Sequence, residues 1–267
     1  MTKLFRILQI TDLHLFAQPN ETLVGVNTYR TAAAVFAKAA SYLKTHPVDL
    51  ALITGDLSQD FSAESYEIVL KFCESLGCPF SICMGNHDAS ELFSKFCGKN
   101  PQHILKEFIF DDWLVLLLNT HWVGHVSGKL ESTELEFLNN ELLAHQDKSA
   151  LIFLHHQILP TTNLWLNKIG VINTAEFLEI ISRYKNIKAV VSGHVHQDNF
   201  LKQNGVDFIT TCSTSWQFAP SFATFHLDAV MPGFRWFELS DAGIYTTGII
   251  RVEQNPDFLP DLNSMGY

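Results

Sequence analysis

Apolar runs of strand length alternate with helical patterns along most of this 267-residue sequence. Six of these runs are almost continuously hydrophobic, among them "LALIT" at 50–54 and "WLVLLL" at 113–118. A strand without a polar face must be covered on both sides, so the runs predict sheets buried between other layers. Helical spacing of apolar positions begins at Thr28 and recurs around 132–144 and 174–184. The sequence therefore predicts an α/β fold in which helices cover the sheets.

The pattern changes after about residue 205. Strand-like segments separated by short turns follow one another there, as in antiparallel hairpins. These segments read "VDFITTCS", "FATFHLD", "FRWFELS" and "IYTTGIIRV". No Pro- or Gly-rich linker, repeat or low-complexity tract divides the chain. We therefore expect one domain over residues 1–267 with two packed sheets, in which the strands from about 205 complete the second sheet.

Composition argues against several classes of partner and location. The formal net charge is −10, which disfavours nucleic acid because binding a polyanion relies on Lys and Arg. No stretch approaches the roughly 20 apolar residues of a membrane helix, and "MTKLFRILQI" lacks the pattern of a secretory signal. The five cysteines show no paired spacing and are predicted to be free thiols. We expect a cytoplasmic protein that binds neither nucleic acid nor a membrane.

Polar blocks follow five of the apolar runs at the point where each run ends. The blocks read "TDLH", "GD", "GNHD", "HH" and "GHVH". Because the carboxyl ends of parallel strands meet at one edge of a sheet, the blocks are predicted to converge. A single DxH or GxH block is more often a hydrogen-bonded loop, whereas five in order at strand ends indicate a metal site. Seven side chains are candidate ligands: Asp12, His14, Asp56, Asn86, His155, His194 and His196.

The spacing within the blocks supports this interpretation. Asp12 and His14 are two residues apart, as are His194 and His196, so on an extended backbone each pair would project to one side. A glycine precedes three of the candidates and permits sharp turns and close backbone approach. Seven ligands exceed the needs of one ion, whereas two ions sharing a bridging carboxylate would use them all. Mixed imidazole and carboxylate ligation suits Mn, Fe or Zn rather than Ca.

Together the blocks resemble the calcineurin-like binuclear metallophosphoesterases, whose motifs run DxH, GD, GNH[DE], a lone His after a strand, and GHxH. From about residue 4 to the end, the sequence is also similar to the bacterial class III 3′,5′-cyclic AMP phosphodiesterases. The segments "RILQITDLHLF", "ETLVGVNT", "GDLSQD", "SGHVHQ" and "PGFRWFEL" carry this second resemblance. It implies a four-layer α/β/β/α sandwich and a small cyclic nucleotide as substrate, and it makes a homodimer plausible.

The resemblance also implies a role for each block. One metal ion would be held by Asp12, His14, Asp56 and His196, and a second by Asp56, Asn86, His155 and His194, with Asp56 bridging. The two ions would be divalent or mixed-valence, Fe and/or Mn, with Zn as a further candidate. The substrate phosphate would be bordered by His14, Asn86, His87 and His196. Attack by a metal-bridging hydroxide would give 5′-AMP, with His87 as proton donor and Asp88 orienting its imidazole.

Two other activities remain open at this point. The relatives usually carry His-His-His-Pro where this chain has "HHQI" at 155–158, a change that could alter substrate preference. With the same metals, the chain could be a broad-specificity phosphodiesterase, a phosphomonoesterase or a nucleotide phosphohydrolase of the same superfamily. A non-catalytic scaffold would be expected to have lost ligands, and all seven are present. A purple-acid-phosphatase relative would carry Tyr three residues after Asp56, where this chain has Gln59.

Three segments near the blocks have two interpretations each. "HWVGH" at 121–125 is either a lid over the site or a surface loop. "SWQF" at 215–218 either forms an aromatic wall for a nucleobase or belongs to the core. Asp60 either caps the helix that follows it or supports a ligand, and we expect the cap.

Overall fold

The computed structural model describes residues 4–266. Its strands are β1 (Phe5–Ile10), β2 (Leu50–Thr54), β3 (Phe80–Cys83), β4 (Glu107–Phe110), β5 (Trp113–Leu117), β6 (Ser149–Leu154), β7 (Ile187–Ser192), β8 (Asn199–Gln203), β9 (Val206–Thr210), β10 (Gln217–Phe218), β11 (Leu227–Asp228), β12 (Gly233–Leu239) and β13 (Tyr245–Arg251). Its α-helices are α1 (Thr28–Leu43), α2 (Ala63–Ser75), α3 (Ser90–Lys99), α4 (Ser132–Ala144) and α5 (Thr174–Ser182). The predicted helices at 28, 132–144 and 174–184 are present, the last ending at Ser182.

The first large sheet has the strand order β13-β12-β1-β2-β3. β1, β2 and β3 are parallel, whereas β12 and β13 are antiparallel to their neighbours. α1, α2 and α3 cover one face of this sheet, and side chains such as Phe36, Val69 and Phe93 pack against Leu8 and Ile53. Burial of these apolar side chains, at about 25 cal/mol per Å², holds the helices on the sheet.

The second large sheet has the order β4-β5-β6-β7-β9-β8, and β5, β6, β7 and β9 are parallel. α4 and α5 cover its outer face through residues such as Leu138 and Phe177. Between the two sheets lies a separate apolar core that includes Leu52, Phe153 and Phe237. The layers therefore run helix, sheet, sheet, helix, and the predicted four-layer α/β/β/α sandwich is confirmed.

The strands after residue 205 are divided between the two sheets. β9 extends the second sheet, but β12 and β13 lie in the first, where Phe5 pairs with Leu239 and Gln9 with Arg235. The expectation that all these strands complete the second sheet is therefore wrong for β12 and β13. The reason is that β1 needs a partner on the side away from β2, since buried backbone amides must be hydrogen-bonded.

Several elements escaped the sequence analysis. α3 has only ten residues and buries only Phe93 and Phe96, so few apolar positions mark it in the sequence. β8 is largely exposed and polar, as expected of an edge strand. The predicted strand "FATFHLD" is extended only at Leu227–Asp228, and the rest of the segment forms an irregular loop.

The helix ends follow ordinary capping chemistry. The side chain of Ser62 accepts a hydrogen bond from the Ser65 amide and caps α2, and Gly77 follows the helix with φ at +68°. Asp60 is not the cap: its carboxylate accepts hydrogen bonds from the Ser62 amide at 3.1 Å and the Ala17 amide at 2.7 Å. Asp60 thus fixes the capping residue rather than the helix itself.

Two expectations from composition can be compared with the structure. Within residues 4–266, no helix combines the length and the apolar character that crossing a membrane requires. All five cysteines are free thiols, and three of them, Cys73, Cys83 and Cys212, are buried. Burial raises the pKa of each of these three thiols, which keeps them protonated at neutral pH.

Candidate metal centre

The polar blocks converge where the two sheets meet. β1, β2 and β3 of the first sheet and β6 and β7 of the second all end at this edge, and each is followed by one block. Four groups of His and Asp side chains there bring their ligand atoms within 4.8 Å of one another: Asp12, His14 and His196; His14, Asp56 and His87; Asp12, Asp56 and His155; and His155, His156 and His194. The predicted convergence is therefore observed.

The backbone reaches this arrangement in an unexpected way. Asp12, His14, Asp56, His194 and His196 all have positive φ, between 48° and 62°. These are left-handed conformations that non-glycine residues rarely adopt and that cost of order 1–3 kcal/mol each. The expectation of extended Asp-x-His and His-x-His pairs is therefore wrong. Tight left-handed turns, not a strand, bring each pair to the centre, and such strain is concentrated at functional sites.

Two glycines allow the blocks to approach closely, as predicted. A Cβ atom on Gly85 would lie 2.2 Å from Asp56 Oδ1 and 2.7 Å from His155 Cε1. A Cβ atom on Gly193 would lie 2.3 Å from Thr11 Oγ1. Real Cβ atoms do not approach other atoms this closely, so a side chain at either position would push the blocks apart.

One half of the centre joins the first block to the last. His196 Nε2 lies 3.1 Å from Asp12 Oδ1, and His14 Nε2 lies 3.7 Å from Asp56 Oδ2. The His194 amide donates a hydrogen bond to Asp12 Oδ2 at 3.1 Å, so Asp12 connects the blocks that follow β1 and β7. These four predicted ligands of one ion, Asp12, His14, Asp56 and His196, are brought together.

The other half lies around the same Asp56 oxygen. His155 Nε2 is 3.4 Å from Asp56 Oδ2 and 3.2 Å from Asn86 Oδ1. The ring centroids of His155 and His194 are 5.2 Å apart, in an edge-to-face arrangement. Asp56 Oδ2 thus lies beside histidines of both halves, and its role as a bridging carboxylate stays a prediction.

Three histidines have their rings oriented by groups outside the centre. His155 Nδ1 is 2.7 Å from the Thr54 carbonyl, and His196 Nδ1 is 2.9 Å from the Trp216 carbonyl. His14 Nδ1 is 2.8 Å from Gln59 Oε1. Because each partner is an oxygen that only accepts, Nδ1 carries the proton and Nε2 is directed to the centre.

Gln59 is a residue whose role the sequence analysis missed. It stands three residues after Asp56, where the sequence alone indicates no more than the absence of a Tyr ligand. That position places its carbonyl against the far side of the His14 ring. The signal was available, because a polar side chain so close to a metal-binding aspartate can reach the ligand of a neighbouring block.

Burial and charge set the protonation states of the centre. Burial lowers the pKa of His14 to about 3, despite the opposing charge of Asp56. Burial would likewise lower the pKa of His155, but the charge of Asp56 and a hydrogen bond to it raise that pKa to about 9. Burial would raise the pKa of Asp56, yet His155 and then His87 hold it well below its usual value. Asp56 is therefore an anion, and His14 is a neutral imidazole able to bind a cation.

His194 provides the sharpest test of whether these residues fit metal ions. Its Nε2 is buried and has no hydrogen-bond partner among residues 4–266. Leaving a buried polar atom unsatisfied costs about 1–3 kcal/mol, and a nitrogen lone pair in a cluster of imidazoles and carboxylates suits a transition-metal ion. The donor set therefore fits cations held between the five blocks.

The GNHD block contains two further predicted site residues. The His87 amide donates to Asp56 Oδ1 at 2.8 Å, and the His87 ring lies edge-on to His14 with centroids 5.0 Å apart. His87 is therefore at the centre, partly exposed to solvent. The Asp88 carboxylate is bound mainly by backbone amides, and its role in orienting the His87 ring stays a prediction.

Asp88 joins two blocks through their backbone. Its buried carboxylate accepts hydrogen bonds from the amides of Gly85 at 2.8 Å, Leu57 at 3.1 Å and Ser58 at 3.2 Å. The Tyr66 hydroxyl donates a fourth at 3.1 Å. Burial, followed by the charge of Asp56, raises the pKa of Asp88 to about 7. A carboxylate surrounded by donors in this way fixes the turns that carry the ligands.

The "SWQF" segment supports the centre from the core. Trp216 and Phe218 are 0% and 2% exposed, so they cannot form an open wall for a nucleobase. The Phe218 ring stacks on His196 with centroids 4.4 Å apart, and the Trp216 ring lies 4.7 Å from that of His14. The core interpretation of this segment is the one that the structure supports.

Comparison with known proteins decides the family. A profile of the family described as Calcineurin-like phosphoesterase matches residues 5–198. The chain belongs to the calcineurin-like phosphoesterase family. The matched region includes all five polar blocks, so the centre described above lies within the region that defines this family. The chain is therefore an enzyme of the phosphoesterase class.

Relatives of this calcineurin-like phosphoesterase match it over nearly their whole length. One from Escherichia coli (strain K12), named 3′,5′-cyclic adenosine monophosphate phosphodiesterase CpdA, is 35% identical over 98% of this chain and 94% of its own length. One from Nostoc sp., named 3′,5′-cyclic-nucleotide phosphodiesterase, is 35% identical over 92% of each chain. A solved dimetal phosphatase from Danio rerio has a TM-score of 0.67 at 14% identity, covering 93% of this chain and 99% of its own. At that identity it shows the shared fold alone.

Proposed function

We propose that this calcineurin-like phosphoesterase is a metal-dependent phosphodiesterase that hydrolyses 3′,5′-cyclic AMP to 5′-AMP. The single observation that carries the proposal is the pair of ligand sets sharing the Asp56 carboxylate. The names of the near-full-length relatives supply the substrate.

Two metal ions are proposed, Fe and/or Mn, with Zn as a further candidate. Asp12, His14, Asp56 and His196 would hold one, and Asp56, Asn86, His155 and His194 the other. When bound, such a pair supplies a nucleophilic oxygen at neutral pH and neutralises charge on the phosphoryl group. His14, Asn86, His87 and His196 are proposed to border the phosphate. The chain is proposed to act as one domain in the cytoplasm on a small nucleotide, and the net charge of −10 supports the exclusion of nucleic acid.

His87 is proposed to donate the proton to the leaving 3′-oxygen. It is the partly exposed imidazole beside the buried ligands, so it can reach a substrate that enters from solvent. Its backbone amide is held by Asp56, which fixes its distance from the centre. The leaving alkoxide is a poor leaving group until it is protonated, so a positioned acid accelerates its departure.

Replacing His87 by Ala should lower kcat about 10²-fold while metal content stays at the wild-type value. The reason is that this substitution removes the proton donor and none of the seven proposed ligands. Metal analysis and steady-state kinetics on the same preparation provide the measurement. Full turnover by the variant would show that another group supplies the proton.

The proposed function is tested by comparing substrates on the Mn-loaded protein. We expect efficient hydrolysis of 3′,5′-cyclic AMP, with little turnover of 2′,3′-cyclic AMP or bis-p-nitrophenyl phosphate, and loss of activity after chelation. Turnover of the aryl diester alone would keep the metal chemistry but contradict the cyclic nucleotide as substrate. Absence of all turnover in protein that binds metal would contradict the proposal altogether.

A further inference from the structure

His121 lies outside all five polar blocks, yet its ring contacts one of them. It belongs to the loop that follows β5, and its Nδ1 is 2.7 Å from the Gly85 carbonyl oxygen. Its Nε2 is 2.8 Å from Ser90 Oγ, at the first residue of α3. His121 therefore joins the second sheet to the GNHD block and to the helix that follows it.

The hydrogen bonds fix the tautomer of this ring. A carbonyl oxygen only accepts, so Nδ1 carries a proton and donates it to Gly85. Burial lowers the pKa of His121, which favours the neutral imidazole at neutral pH. In that form Nε2 is an acceptor, and the Ser90 hydroxyl donates to it.

The bond to Gly85 acts on the peptide group that precedes Asn86. Because a peptide unit is planar, fixing the carbonyl oxygen of Gly85 also fixes the orientation of the Asn86 amide. The Gly85 amide is held separately by Asp88 at 2.8 Å. Gly85 is thus held at both its donor and its acceptor, and Asn86, the next residue, has its Oδ1 3.2 Å from His155 Nε2.

His121 is itself held firmly from the second sheet. Its amide donates to Asn119 Oδ1 at 3.0 Å, and the Asn119 amide donates to Glu134 Oε2 at 3.2 Å. The far end of the same loop is tied to the fourth block, because the Val126 carbonyl is 3.1 Å from His156 Nε2. A segment held at both ends in this way, with residues 123–126 exposed to solvent, is an anchored surface loop rather than a swinging lid.

We propose that His121 is a positioning residue of the metal centre, which holds the Gly85–Asn86 peptide so that Asn86 and His87 face the ions. This inference rests on the proposed function, since it assigns a task to that same centre. It predicts that the Nδ1–H donor of His121 is the group that holds the Gly85–Asn86 peptide in place. The contact between Nε2 and Ser90 is secondary.

Two substitutions separate the nitrogens of the ring. Asn places its amide nitrogen near the position of Nδ1, whereas Gln places its amide nitrogen near that of Nε2. We expect His121→Asn to keep wild-type Mn affinity, and His121→Gln to bind the second Mn equivalent about 10- to 100-fold more weakly. In the metal-free protein, the His121→Gln variant should also exchange the amide hydrogens of Asn86 and His87 faster. His125→Ala is the matched control, because His125 is exposed on the same loop and, among residues 4–266, its ring stacks on Trp122 alone.

Metal titration and hydrogen exchange need no substrate, so they decide on His121 even if cyclic AMP is not hydrolysed. A lack of cyclic AMP hydrolysis would contradict the proposed function but not the role of His121. Equal Mn affinity and equal exchange in the Asn and Gln variants would overturn the positioning role. A fall in kcat without a change in either readout would also overturn it, because His121 would then act on the substrate.

Discussion

Replacing Asp56 by Asn should reduce bound metal from two ions per chain to one or fewer and lower turnover by at least about 10²-fold. Asp56 Oδ2 lies 3.4 Å from His155 Nε2 and 3.7 Å from His14 Nε2, so both ligand sets depend on this one oxygen. Asn is almost the same size, but it carries no charge, and one of its two terminal atoms is a donor that cannot bind a cation.

Metal content by elemental analysis, together with cyclic AMP kinetics, measures this effect. Asp60→Asn is the matched control, since Asp60 lies in the same loop but directs its carboxylate to Ser62 and Ala17. The control should keep both ions and nearly full turnover. Two tightly bound ions in the Asp56→Asn variant would show that this carboxylate is not shared.

Replacing Asp88 by Asn should destabilise the metal-free protein by about 2–4 kcal/mol. The Asp88 carboxylate accepts hydrogen bonds from three backbone amides and from the Tyr66 hydroxyl. An amide group of the same shape would point its own donors at one of these amides. The N–H of the Asn side chain and the backbone N–H that faces it would then both be buried without an acceptor, and burying an unpaired polar group costs free energy of folding.

Urea denaturation in the presence of a chelator gives this free energy without a contribution from bound metal. Tyr66→Phe is a milder comparison, because it removes one of the four donors to Asp88. It should lower the free energy of unfolding by about 1 kcal/mol. An Asp88→Asn variant as stable as the wild type would show that this carboxylate does not stabilise the turns that carry the ligands.

The strand ends and the seven candidate ligands could be predicted from the sequence because two signals coincide there. Apolar runs such as "LALIT" mark buried strands, and Asp or His immediately after such a run has no place in the core. Parallel pairing then brings the blocks to one edge. The convergence of Asp12, Asp56 and His196 needed no knowledge of long-range packing beyond this rule.

What could not be predicted depends on contacts between distant parts of the chain. β12 alternates apolar and polar residues, and this pattern does not indicate which sheet a strand joins. The pairing of β12 with β1 could therefore not be predicted. The left-handed turns at Asp12 and His194 are joined across the centre by the hydrogen bond from the His194 amide to Asp12 Oδ2, a contact between residues 182 positions apart. The contact of His121 with Gly85 joins loops that follow strands of different sheets, and neither local sequence predicts it.

The position of β1 has a consequence for how the protein is made. Phe5 pairs with Leu239, and the whole of β1 lies between β2 and β12. Contacts between such distant parts of a chain slow folding, because a large loop must close before they form. During synthesis on the ribosome β1 has only one neighbour, and its free edge can pair with other chains until β12 emerges. We therefore expect the first sheet, and with it the turn that carries Asp12 and His14, to be completed only after β12 has emerged.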